Sequence, residues 1–166
     1  EIVNSEMRQE IAKLLLQGET SVWLFLESGD PEKDEPAFKL LKDYLDELEK
    51  KLRLSVLEME NPDTEGISTD TLRIDFDIKR LSRDNPDEKF LVSMLMHSEQ
   101  DLFEYENEPM AFPIYGRGRA LYAILGKGIN EDVILDACLF MTGPCTCQIK
   151  GLNPGTDLLI AADWEG

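Results

Sequence analysis

The residues able to do chemistry by type and spacing gather mostly in the last third of this chain. Cys145 and Cys147 stand one residue apart in the run G-P-C-T-C. Two thiols at that spacing could close a strained small-ring disulfide, an oxidising couple because strain raises its potential. They could equally pack as thiols, or supply two ligands to a metal, although a closed zinc site usually takes four. Cys138 and His97, the one histidine, could complete such a set, but nothing in their spacing requires it. Cys138 lies on the apolar stripe of a predicted helix and reads as a buried small hydrophobe. His97 closes another predicted helix, where a helix C-terminal charge partner is the expectation and a His–Cys pair with Cys145 the alternative.

Other clusters carry charge. Arg117 and Arg119 form a small cationic island in an acidic protein, suited to a carboxylate or phosphate, or to pairing with nearby acids. Gly126-Lys127-Gly128, before a helix start, has the composition of an anion cradle or of a simple turn. It lacks the glycine spacing and the Ser/Thr of a Walker loop, and Leu121 stands where Gly116-Arg117-Gly118 would need its third fingerprint glycine. Glu27, Asp30 and Glu32 could be paired carboxylates, a weak divalent-cation site, or a solvated loop.

Composition narrows the classes. Of the 166 residues, 17 are Lys or Arg and 34 are Asp or Glu, a net charge of −17. That field repels duplex DNA and anionic membranes, so neither nucleic-acid binding nor membrane insertion is expected. No apolar run approaches the ~18 residues that span a bilayer. Three cysteines leave one unpaired in any structural disulfide set. The chain opens on Glu1 without methionine, which with the closely spaced cysteines points toward a periplasmic or secreted protein.

The elements that must position these groups follow from periodicity. Val3, Met7, Ile11, Leu14 and Leu15 line one helical stripe that Gly18 stops. Val22–Leu26 is a continuous apolar run, predicting a strand covered on both faces. Ala37, Leu41, Tyr44, Leu45, Leu48 and Leu52 predict an amphipathic helix from about Asp34 to Leu52, followed by an acidic loop over 54–70. Leu72, Ile74, Phe76 and Ile78 alternate with polar residues, a strand. Asn85-Pro86-Asp87-Glu88 is a helix start leading to about His97. Met110–Tyr115 and Ala120–Leu125, separated by Gly116 and Gly118, predict a hairpin. Asn130 caps a helix through Met141, ended by Gly143-Pro144. Asn153-Pro154-Gly155 predicts a turn, and Leu158–Ile160 a last short strand or helix end.

In this order, with Gly29-Asp30-Pro31-Glu32 following the first strand and Pro109, Gly118 and Gly126 around the hairpin, the chain resembles the thioredoxin fold. The resemblance covers residues 21–142. It implies one domain over residues 1–166: an extra helix (1–18), an α/β/α three-layer core (19–142) with a mixed sheet in the order β-α-β-α-β-β-α, and an extension (143–166) carrying the Cys-x-Cys. It also implies a cis-proline at Pro109, or alternatively at Pro113, which lacks an N–H and should lie at a strand edge or bulge. The G-R-G-R-A-L-Y and G-P-C-T-C-Q runs are similar to a family of uncharacterised bacterial proteins. At the positions of the thioredoxin cysteines stand Gly29 and Glu32, so the dithiol chemistry of that corner has no thiolate. Ser28 is the only nucleophile beside it, and glutathione-type chemistry has no support.

The expected function is therefore a binding or adaptor domain without a cofactor, taking a protein or a small anionic ligand. Two locations qualify: the vacated cleft (Gly29, Pro31, Glu32, Pro109), or a patch of Arg117, Arg119, Cys145 and Cys147 at the other end. The competing reading keeps thiol–disulfide exchange or metal binding at Cys145 and Cys147, and whether the protein is an enzyme stays open.

Overall fold

The computed structural model describes residues 4–59, 74–142 and 155–164, with side chains left aside at 54–59. Helix α1 (Glu6–Leu16) precedes β1 (Ser21–Leu26), α2 (Pro31–Met59), β2 (Phe76–Leu81) and α3 (Lys89–Met96). Then come β3 (Met110–Tyr115), β4 (Arg119–Ala120), β5 (Ile124–Leu125), α4 (Glu131–Thr142) and β6 (Thr156–Asp157). The strands form one open mixed sheet in the order β2-β1-β3-β4-β6, with β5 also paired to β3. Among the described strands only β1 and β2 run parallel, in the register Ser21↔Phe76 to Leu26↔Leu81. β3 is antiparallel to β1, and β4 and β6 continue antiparallel.

All six residues of β1 are buried, as its unbroken apolar run predicts. Alternation splits them between two cores. Val22, Leu24 and Leu26 pack with Ile11, Leu91, Leu95 and Phe112 under α1 and α3. Trp23 and Phe25 pack with Leu41, Leu45, Ile134 and Cys138 under α2 and α4. The sheet is thus covered on both faces, in an α/β arrangement.

Several expectations need correction. Helix α2 begins at Pro31 and runs 29 residues to Met59, well beyond Leu52 at one end and before Asp34 at the other. Its early start follows from Asp30, whose Oδ1 accepts the Glu32 amide (3.0 Å), with Pro31 preset for the first helical position. Pro36 is tolerated inside the second turn, where it forfeits one hydrogen bond. At the far end Arg53 pairs with Asp75 and donates from Nε to the Ile74 carbonyl (2.9 Å), anchoring the helix to the approach of β2. Strand β2 runs Phe76–Leu81, two residues past the expected end at Lys79, with Ile74 and Asp75 leading into it and its register with β1 closing at Leu26↔Leu81; Leu72 and Arg73 lie outside the described residues.

The second hairpin strand is broken into β4 and β5. Pro113 is the cause. It sits in the interior strand β3, opposite Trp23 of β1 and at a bulge as expected: between the pairs Ile114↔Ala120 and Ala111↔Ile124, two β3 residues face three on the returning strand. Its carbonyl accepts the Leu121 amide (2.9 Å), so its missing N–H also faces the β4–β5 side. The ladder lapses over Leu121–Ala123, opposite that gap. Every described peptide bond is trans, Pro109 and Pro113 included, against the expected cis-proline. Finally, Leu158–Ile160 is neither strand nor helix; the strand is Thr156–Asp157, and the Leu158 carbonyl accepts from the Nε of buried Arg8 (3.1 Å). Asn153 and Pro154 lie outside the described residues.

Candidate functional site

The parallel pair β1–β2 ends where the chain leaves the sheet toward α2, and in open α/β sheets ligands gather outside such strand ends. The loop there is built around Asp34. Its buried carboxylate accepts the Ser28 amide (2.8 Å) and hydroxyl (2.8 Å) through Oδ1 and the Gly29 amide (3.1 Å) through Oδ2. Gly29 takes φ +91, a left-handed turn that glycine allows. An internal carboxylate therefore occupies the backbone donors at the corner where the resemblance puts a thiol.

Three basic side chains tie this loop to its neighbours. Arg83 donates from Nε to the Glu27 carbonyl (2.7 Å) and from Nη2 to the Glu108 carbonyl (2.7 Å), joining β1 to the segment before β3. Burial lowers its pKa, and the charge of Asp34 opposes that shift. Arg80 reaches Glu27 (2.6 Å) and Glu35 (2.7 Å) and lies 4.6 Å over the Phe38 ring. Its hydrogen bond holds the Glu35 carboxyl below the usual carboxylate range. Lys33 Nζ donates to the Asn107 carbonyl (2.8 Å) and to Glu108 Oε1 (2.6 Å), and that bond raises its pKa.

Beside this corner α2 and the Gly126–Gly128 turn enclose a groove of about 380 Å³. Pro36, Ala37, Leu40, Pro109 and Ile129 give it an apolar lining, and Lys33, Glu108 and Lys127 stand in its walls. Leu40 is 38% exposed. A second hollow, lined by Tyr105 and Leu125 among others, adjoins it across Glu108, Gly126 and Lys127.

Gly29, Pro31 and Glu32 lie exposed at the start of α2, while Pro109 is buried and lines the groove. Glu27, Asp30 and Glu32 do not converge: Glu27 faces Arg80, Asp30 caps α2, and Glu32 is exposed. Among the described residues no group of three or more His, Cys, Asp or Glu is placed to hold a metal ion. The turn reading of Gly126-Lys127-Gly128 holds, since the Gly126 amide goes to the Pro109 carbonyl (2.8 Å) and Ile129's to Gly126 (3.0 Å). Asn130 caps α4 as expected, accepting the Val133 amide (3.1 Å).

Elsewhere, Arg117 is exposed on the hairpin turn and Arg119 Nη2 donates to the Gly155 carbonyl. Cys145 and Cys147 lie outside the described residues, and with them the arginine–cysteine patch. Cys138 is fully buried, and burial pushes its thiol up to about 12. His97 sits at the C-cap of α3, its Nδ1 2.7 Å from the Ser93 carbonyl and its ring edge-on to Phe103. Asp34, Arg80, Arg83 and Glu108 escaped the sequence reading. Only the S-G-D-P turn hints at Asp34, and no periodicity marks the other three. The chain matches no protein-family model, no curated protein and no solved structure.

Proposed function

We propose that this is a divergent thioredoxin-like domain that binds a ligand without chemistry at its former redox corner. The sheet order β2-β1-β3-β4, with one parallel and two antiparallel pairings, supports the fold part of that reading. The observation that carries the function is the groove between α2 and the Gly126–Gly128 turn. Its volume of about 380 Å³ and mostly apolar lining with a few fixed polar groups match the ordinary make-up of ligand sites. Gly29 and Glu32 provide no nucleophile, and the Ser28 hydroxyl is committed to Asp34. Binding, not bond-making, is what such a site supports.

The test is a fragment screen by NMR on the isotope-labelled chain. Fragments are expected to shift amides within 37–40 and 126–129, and Ala37→Trp, which fills the groove, to abolish those shifts in a variant of unchanged melting temperature. Binders that map only to the hairpin turn around Arg117 and Arg119 would sink this reading.

A further inference from the structure

We infer that the groove takes a small amphipathic carboxylate, its apolar body on Pro36, Leu40 and Ile129 and its anionic end at Lys127. This rests on the binding reading above and adds the class of ligand. The argument is one of charge. Among the described residues, the ionisable side chains lining the groove are Lys33, Glu108 and Lys127. Lys33 and Glu108 meet at 2.6 Å and neutralise one another. Lys127 is exposed and forms no ion pair among the described residues. Among the described residues the groove therefore holds an apolar floor and one unmatched positive charge, in a chain whose net charge is −17. A neutral ligand would leave that charge unanswered. A cationic one would set a second positive charge against it and find its only acid already engaged.

The position of Lys127 is built, not incidental. Its carbonyl accepts from Asn130 Nδ2 (3.2 Å), tying the turn to the cap of α4. Gly126 takes φ +43, and a Cβ there would meet Glu108 Oε2 at 2.8 Å. Glycine thus lets the turn close against Glu108, which holds Lys127 in the wall shared by the groove and the adjoining hollow. The volume lies near the lower end of the ~300–1,000 Å³ range of small-molecule sites, which suits a medium-length alkyl or single-ring body.

Octanoate, octanol and octylamine, titrated separately into the full labelled chain, separate the terms. Octanoate is expected to bind tightest and to shift amides 37–40 and 126–129. Lys127→Gln should weaken octanoate by about threefold to fivefold, the worth of one partly exposed ion pair, and leave octanol unchanged. Octanol or octylamine binding as tightly as octanoate, or octanoate indifferent to Lys127→Gln, overturns the carboxylate while the groove reading stands. Absence of shifts at those amides with all three compounds removes both.

Discussion

Replacing Asp34 with alanine strips the loop after β1 of the group that organises it. The carboxylate is 4% exposed and accepts two backbone amides and one hydroxyl. The Ser28 hydroxyl can turn to water, so its loss is small. The Ser28 and Gly29 amides are part-buried and held in place by the left-handed turn at Gly29, and each forfeits a charge-assisted bond. At about 1–3 kcal/mol for a polar group left without its partner, two such groups partly reached by water come to about 2–4 kcal/mol. For a chain of this size that corresponds to a melting temperature lower by roughly 4–16 °C. Urea unfolding at neutral pH, followed by far-UV circular dichroism, measures it as a fall in midpoint at constant slope. Asp34→Asn keeps one acceptor oxygen and should lose about half as much. Asp30→Ala, which removes only the exposed cap of α2, should cost about 1 kcal/mol. If Asp34→Ala costs less than Asp30→Ala, the loop is not built around the buried carboxylate and the account of this corner fails.

Two further outcomes are expected. Native Cys138 should resist maleimide labelling at pH 8 and react once the chain is unfolded, because its thiol is pushed up from 9.0 to about 12. The folded state then holds a proton that the unfolded state releases between those values. Stability should therefore fall with rising pH there by about 1.4 kcal/mol per unit, a slope missing from the difference curve if Cys138→Ala behaves like the parent. Gly155→Ala, at φ +94 with a Cβ 2.1 Å from the Ala120 carbonyl, should unpair β4 from β6 at a cost of about 3 kcal/mol or more. Gly116→Ala, at φ +59 in open space, should cost only about 1–2 kcal/mol; equal melting temperatures for the two would contradict the packing of β6.

Much of the architecture is readable along the chain because its signals are local. Six consecutive apolar or small residues in β1 have nowhere to go but between two layers, and Asn130 and Gly116 act through bonds or dihedrals within a few residues of themselves. The strand break at Leu121–Ala123 needs more. Pro113 withholds a donor wherever it sits, but only pairing to β1 on one side decides that the other side loses it. The extension of α2 to Met59 is of the same kind, since Arg53 finds Asp75, 22 residues further along the chain.

The candidate site divides in the same way. By itself the sequence determined that no thiol stands after β1, that the chain is strongly acidic, and that a glycine-flanked lysine precedes a capped helix. Only the tertiary structure decided that Lys33 would neutralise Glu108 across 75 residues, that Arg83 would join Glu27 to Glu108, and that Lys127 would face Leu40 over a common hollow. The reason is physical: composition and spacing state which groups a chain owns. Which charges cancel and which remain for a ligand depends on distances that exist only once the sheet has brought distant segments together.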